Sequence, residues 1–326
     1  MLTIDGAYGE GGGQLVRNAV ALSAITGEPV TINRIRASRQ KPGLGAQHVA
    51  AVNAVACVCD ADTRGIITGS SDLTFLPGRP KTCDTIIEVG TAGSIPLVIQ
   101  AWLPVALWFG GTLQVTGGTE VHKSPTIDYL ENVLVKVLIN SGADISMRII
   151  KRGYFPEGGG EVKIEVKKKK ISPIDPGSQE TSCGIASCSS NLPDHVADRQ
   201  ASSAAQSIQK APGLNCPPYI YRQIGQSTGS SCTAWSGAKG GSALGKRGFP
   251  AEKVGEAAVA ALLKELRSPG NVDLHLSDQL LVPLALFGGT YTTSALSLHA
   301  ETILWLVRQF DYELNCKHGS IVEFSA

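Results

Sequence analysis

One apolar segment occurs twice in this chain, and that echo limits the available folds more than any other feature. Leu103-Pro-Val-Ala-Leu-Trp-Phe-Gly-Gly-Thr112 is nearly repeated by Val282-Pro-Leu-Ala-Leu-Phe-Gly-Gly-Thr290. An apolar run closed by Gly-Gly-Thr reads as a buried helix, a tight turn and the start of a strand. Residues 95–140 continue from it with a strand, a polar loop and a helix over 127–139, and residues 278–310 repeat that order. Residues 1–60 follow it as well. They have a short strand at 2–4, the turn Gly9-Glu-Gly-Gly-Gly13, a helix over 14–25, the turn Thr26-Gly-Glu-Pro29, a strand at 30–35, a basic loop and a helix over 45–59. The simplest reading is three copies of a sheet-and-two-helix unit, an α+β class in which each sheet buries a face under helices.

The spacing of the copies is uneven. Gly27 to Gly110 is 83 residues and Gly110 to Gly288 is 178, so the difference, roughly 95 residues, is an insertion between the second and third copies. Composition changes in that interval. A Pro/Ser/Cys-rich stretch at 172–190 is followed by an Ala-rich helix at 195–208, a strand near 219–224 and a helix over 251–266. The expected organisation is a large domain at 1–173 and 271–326, with a small α/β domain inserted at 174–270. The lysine run 167–170 reads as the solvated end of a strand at 161–166, because four adjacent lysines in a strand cannot all face one ligand.

Charge and cysteine usage exclude several classes. With 29 basic and 28 acidic residues the chain is no uniformly basic nucleic-acid coat, although a local basic pocket remains open. The eight cysteines, at 57, 59, 83, 183, 188, 216, 232 and 316, form no CxxC pair and no zinc-ligand spacing, which favours reduced structural thiols, with a bridge among those at 183–232 left open. The longest apolar stretch, 95–109, is broken by Pro96, Gln100 and Pro104 and is too short for a bilayer. The N-terminus has no signal-like run, so a cytoplasmic protein is expected.

Chemistry concentrates around His299. Ile303, Leu306, Val307 and Phe310 fall at i, i+3, i+4 and i+7, and Ser297 stands at the N-cap position, which puts His299 in the first turn of a helix. The positive helix end disfavours imidazolium, and the free amides there attract anions such as phosphate. Such a histidine is either a nucleophile or a capped surface or core side chain. Gly9-Glu10-Gly-Gly-Gly13 opens a helix whose amides can line an anion site, with Glu10 suited to a divalent metal; close packing uses the same glycines. Arg34, Arg36, Arg39 and Lys41, with Gln47 and His48 after them, suit a phosphate grip, although taken alone they read first as an exposed charged loop. His275-Leu276-Ser277-Asp278-Gln279 precedes an apolar helix, where its polar groups either meet a nucleobase or ribose or cap the helix. Gln100, inside an apolar helix, is either satisfied internally or aimed at a ligand. His122, His195 and His318 lack acidic or cysteine companions and read as structural.

Arg152-Gly-Tyr-Phe-Pro-Glu-Gly-Gly-Gly160 resembles the Arg-Gly-x-x-Pro-x-Gly-Gly-Gly signature of the RNA 3′-terminal phosphate cyclases. Asp5-Gly-x-x-Gly-Glu-Gly-Gly-Gly-Gln14, Arg36-Ala-x-Arg-x-Lys-Pro-Gly-Leu44, Gly117-Gly-Thr119, Gly245-Lys-Arg-Gly248, Asp278-Gln279 and His299 follow that family's order along essentially the whole chain. The resemblance implies an enolpyruvyl-transferase-like large domain of three repeats with a small inserted α/β domain. It implies ATP-dependent conversion of an RNA 3′-phosphate into a 2′,3′-cyclic phosphate, assisted by Mg or Mn. By the same resemblance His299 takes AMP, and Gln100 with His275, Leu276, Ser277, Asp278 and Gln279 holds the adenosine. Pro125 and Asp128 line the nucleotide pocket, Glu10 holds the metal, and Arg17, Arg36, Arg39 and Gln47 hold phosphates. The family often has Tyr where this chain has His275, which puts adenine stacking there in question. A non-catalytic ribosome-maturation relative shares the fold, but it is expected to lack the nucleophile. A metabolic transferase on the same architecture is expected to lack both the signature and the histidine.

Overall fold

The computed structural model describes residues 1–178, 182–210 and 213–326. The first sheet is built from β1 (Leu2–Asp5), β2 (Val30–Asn33), β3 (Asp62–Arg64) and β4 (Leu73–Leu76), in the order β1-β2-β4-β3, with α1 (Gly13–Thr26) and α2 (Ala46–Cys59) as its helices. The second sheet has the corresponding order β5-β6-β8-β7, from β5 (Asp84–Glu88), β6 (Gly111–Gly117), β7 (Asp144–Lys151) and β8 (Gly160–Lys167). Its helices are α3 (Ile95–Phe109) and a second, irregular one. In both sheets the first pair, β1 with β2 and β5 with β6, is parallel and the remaining pairs are antiparallel.

The irregular helix is the place where sequence periodicity misleads. A continuous helix over 127–139 is expected, yet α4 (Ile127–Tyr129) and α5 (Lys136–Asn140) are separated by a π-helical stretch, Leu130–Val135. The extra residue per turn is invisible to a 3.6-residue pattern and re-aims the side chains that follow it.

Next come β9 (Cys183–Ser190), α6 (His195–Ile208), β10 (Pro218–Gln223), β11 (Gly229–Ser236), β12 (Lys239–Leu244) and α7 (Ala251–Arg267). They form a sheet of order β10-β9-β11-β12 with both helices packed on it. Ile185, Ala204, Ile208, Val254, Ala258 and Leu262 belong to a separate apolar cluster here. Residues 179–181 of the Pro/Ser/Cys-rich stretch lie outside the described residues.

The chain closes with α8 (Leu274–Phe287), β13 (Thr290–Thr293), α9 (Leu298–Gln309), β14 (Asn315–His318) and β15 (Val322–Ser325), in sheet order β13-β15-β14. Ile174 bridges in parallel to Gly289 at the head of this sheet, where β1 and β5 stand in the other two. The echoed segments behave alike. Gly110 and Gly111 have φ of 81° and 145°, Gly288 and Gly289 of 72° and 125°, and such backbone favours glycine at each turn from buried helix into strand.

α3 and α8 are apolar on nearly every side because they are covered on nearly every side. Ile95, Val98, Ile99, Trp102, Val105, Leu280, Leu281 and Leu284 are each fully buried, and burial of a large apolar side chain contributes about 1.5–3 kcal/mol. Asp273, not Ser277 or Asp278, caps α8: its Oδ1 accepts from the Leu276 amide at 2.7 Å. Lysines 168–170 are exposed beyond β8, and all eight cysteines are free thiols. Among the described residues no helix is long and apolar enough to cross a membrane.

Candidate active site

Two helix ends with glycine at the N-cap line a cavity of about 1130 Å³. Gly12 and Gly45 are the N-caps of α1 and α2, and neither supplies a side-chain acceptor to the first turn. First-turn amides left without such acceptors favour an anion. His48 lies between the two ends. Its Nδ1 accepts from the Gly45 amide at 2.8 Å, so the proton of the neutral ring sits on Nε2. Burial, reinforced by Arg17 and Arg36, pushes its pKa down to about 3. A Cβ on Gly13 would stand 2.0 Å from that Nε2, which explains a glycine at the first residue of α1.

Glu10, in the loop that leads to α1, accepts from two cations or potential cations. Oε1 pairs with Arg39, and Oε2 lies 2.5 Å from His299 Nδ1. His299 is the second residue of α9, and Ser297 caps that helix by accepting from the Ala300 amide at 2.9 Å. Ser297 Oγ in turn donates to Asp278 Oδ1 at 2.5 Å, so α8 fixes the start of α9. The imidazole is half-exposed. Its pKa is lowered, first by burial and then by Arg17, Arg39 and His275, against the opposing pull of Glu10. Arg17 is buried in α1, and burial lowers it to about 10 while Glu10 acts the other way, so the guanidinium stays charged near neutral pH. Arg36 donates to the Gly43 carbonyl at 2.7 Å. Gln47 Oε1 accepts from the Ser94 amide at 3.1 Å, at the start of α3. Glu10, Arg17, Arg36, Arg39, Gln47 and His299 line the same cavity.

The opposite wall comes from α3, α8 and the loop before α4. Gln100 Nε2 and Gln279 Oε1 are buried without a hydrogen-bond partner, and both side chains line the cavity together with Pro125, His275 and Asp278. A buried amide group left without a partner is costly. Both residues border one hollow, where a donor and an acceptor are left without a protein partner. Burial pushes the Asp278 carboxyl up to about 6.

Three residues expected in this pocket lie elsewhere. Leu276 and Ser277 are fully buried on the inner side of α8; Ser277 Oγ donates to the Leu274 carbonyl, and its own carbonyl accepts from the Tyr291 hydroxyl at 2.7 Å. Asp128 also turns inward. Its two oxygens accept from Arg152 Nη1 and Nη2 at 2.6 and 2.7 Å, and Oδ1 accepts from the Tyr219 hydroxyl. Arg152 Nη1 also donates to Glu120 at 2.8 Å. The reason is charge: a buried guanidinium requires buried carboxylates, and Asp128 and Glu120 are both within reach. The Arg152–Gly160 segment therefore braces the molecule. Its Arg152 amide and carbonyl bond Gln223 at 2.9 and 2.7 Å, and its Tyr154 amide bonds Ser227 Oγ at 2.8 Å.

A profile of the RNA 3′-terminal phosphate cyclase family matches residues 8–314. The chain belongs to this family. The RNA 3′-terminal phosphate cyclase of Methanococcoides burtonii is 45% identical over 315 residues, covering 95% of this chain and 94% of the relative. Those of Archaeoglobus fulgidus and Pyrococcus furiosus are 41% and 40% identical, covering 95% of this chain and 95% and 93% of theirs. In this family member the cavity extends beyond the residues that sequence reasoning selected. Gly240, Gly241, Ser242 and Lys264 bring β12 and α7 to its edge, and Tyr129 contributes from α4. Asp273 joins these parts, accepting from the Tyr129 hydroxyl and the Gly240 amide at 2.8 Å each while it caps α8. Only a long-range fold brings them together, and no local spacing announces it.

Proposed function

We propose that the protein uses ATP to convert an RNA 3′-terminal phosphate into a 2′,3′-cyclic phosphate, by way of AMP carried on His299. The observation that carries this reading is the 2.5 Å contact from His299 Nδ1 to Glu10. A neutral imidazole with its one proton on Nδ1, facing a carboxylate, leaves the Nε2 lone pair free to attack. Nε2 forms a bond to the ATP α-phosphorus as the α–β bridge breaks and pyrophosphate leaves. Arg17, Arg36, Arg39 and the Nε2–H of His48 offset the charge on the departing phosphates, together with the α1 and α2 amides. A terminal phosphate oxygen of the RNA then takes the AMP as the P–N bond breaks. The adjacent 2′-hydroxyl attacks the activated 3′-phosphorus, its proton passes to water, and AMP leaves. Holding one end makes that closure effectively intramolecular, and the need for a 2′-hydroxyl selects RNA over DNA.

Gln100 and Gln279 are well placed to meet the adenine through their unpartnered donor and acceptor, with Pro125, His275 and Asp278 beside them. Among the described residues no three His, Cys, Asp or Glu side chains form a metal-binding group. Glu10 fits Mg or Mn as the lone protein carboxylate of a site that phosphate oxygens and water complete. Such an ion supplies charge neutralisation on the phosphates. We further infer three copies of one unit, with residues 174–270 inserted as a small domain; the common order of the two four-stranded sheets, and the three-stranded last sheet with Ile174 bridging at its head, support this. The free thiols suit a reducing cytoplasm.

The test is an oligoribonucleotide labelled at its 3′-phosphate. With ATP and Mg or Mn its label should become resistant to phosphatase and reside in a 2′,3′-cyclic phosphate, and 2′-deoxy ends should yield no cyclic product. A label that stays phosphatase-sensitive would sink the reading.

A further inference from the structure

Tyr8 precedes Glu10 by two residues and stacks on Trp305 of α9, with ring centroids 3.9 Å apart and planes 17° from parallel. The indole covers one face of the phenol, yet Tyr8 remains 41% exposed. An aromatic residue left open in a loop next to a reactive centre calls for a partner. The two elements are joined at this point, because the Glu10 amide bonds Thr302 Oγ1 at 3.3 Å and a Cβ on Gly9 would collide with the same hydroxyl. His299, Thr302, Trp305 and Arg308 are successive three-residue steps along α9, so they are neighbours on its surface. Leu298, 51% exposed, extends the apolar part of that strip. Trp305 lies about 9 Å along the helix axis from His299, or two to three stacked nucleotides at ~3.4 Å each.

The charges around the stack suit a polyanion. Arg308 is exposed one turn beyond Trp305 on α9, Arg39 donates to the Glu10 carbonyl at 3.2 Å and lines the cavity, and Arg34 is exposed on the loop after β2. Asp5, which binds Arg34 at 3.1 Å, and exposed Glu301 are the opposing charges. Single strands of RNA are gripped in this way, by bases on aromatic faces and phosphates on arginines.

We propose that Tyr8 and Trp305 form a platform on which a base of the RNA stacks, that of the second or third nucleotide counted from the reacting 3′ end. This rests on the RNA-cyclising reading above. It assigns the strand a direction, out of the cavity and along the outer face of α9.

The experiment uses the full chain and oligoribonucleotides carrying 5-iodouridine at one of the last four positions. Ultraviolet crosslinking should peak with the label at the second or third position from the 3′ end, on the peptide containing Tyr8 or Trp305. Tyr8→Ala should raise KM for a hexanucleotide at least about fivefold, the lower end for losing one base–aromatic stack, and leave KM for a nucleoside 3′-phosphate in place. Tyr8→Phe keeps the ring and should restore the wild-type value. Crosslinks confined to β12 and α7, or equal KM changes for the long and the short substrate, would overturn the platform while the cyclase reading stands. Wild-type protein that cyclises neither substrate would instead remove the reading on which it rests.

Discussion

Replacing Arg152 with Met should destabilise the protein heavily while sparing its chemistry. The guanidinium is 3% exposed, Glu120 0% and Asp128 1%, and the variant leaves both carboxyls without their cation. Breaking a buried pair by removing one partner costs about 3–5 kcal/mol. The loss should depend on pH. The Asp128 carboxyl is held below its ordinary range by Arg152 even though burial pushes it up. That contribution is present above the unfolded carboxylate pKa of about 3.9 and is lost as pH falls through the lower folded value. Burial already raises Glu120 to about 8 beside Arg152, so below that pH it holds its proton in wild type too, and the gap is carried chiefly by Asp128: it should be widest near pH 8 and shrink toward pH 4. Urea unfolding followed by tryptophan fluorescence at those two pH values measures it, and adding Asp128→Asn to Arg152→Met should recover part of the loss at pH 8. Below its melting transition the variant should still accept AMP from ATP. A loss under about 1 kcal/mol, or adenylation abolished in a variant that remains folded, would refute the assignment of Arg152 and Asp128 to architecture.

Three further outcomes follow from the cavity. Gly13→Ala should displace the His48 ring, since the new methyl stands 2.0 Å from Nε2; overpacking of this kind costs about 1–3 kcal/mol, and thermal melting together with ATP titration should show lower stability and weaker binding. Gln100→Leu should move two measurements in opposite directions. It should raise the melting temperature of the free protein by removing an unpartnered amide, and weaken ATP binding by about tenfold or more as a ligand hydrogen bond is lost. Asp278→Asn should stabilise the protein most at high pH. The folded carboxyl, raised to about 6, holds its proton longer than the unfolded one, so wild-type stability falls as pH rises from about 4 to 6; the variant escapes that fall, by up to about 3 kcal/mol at pH 8. A difference in melting temperature independent of pH would refute the burial of that charge.

Those residues also show which parts of the site were legible in the sequence. The N-cap at Ser297 and the first-turn place of His299 follow from local spacing, because a cap and its helix are contiguous. So does the pair of glycines that ends each echoed helix, which turns on a backbone angle one residue wide. The odd glutamine in an apolar helix stands out in the sequence because its cost is visible wherever the helix is buried, and in the fold its Nε2 is buried without a partner. Asp128 failed for the opposite reason. Its partner Arg152 is 24 residues away, and nothing near Asp128 tells whether the carboxylate faces ligand or core. The break in the helix at Leu130–Val135 failed because periodicity assumes a constant turn. The clamp by Asp273 on Tyr129 and Gly240 spans 144 and 33 residues, so only the assembled fold reveals it.

His299 is proposed to hold AMP through a covalent bond, and labelled nucleotide tests that bond directly. Incubation with ATP carrying the label at the α-phosphate, without RNA, should leave acid-labile, alkali-stable AMP on the chain, and tandem mass spectrometry should place it on the peptide containing His299. Adding RNA with a 3′-phosphate should chase the label off. Label absent from wild type, or retained undiminished in His299→Ala, would contradict the account.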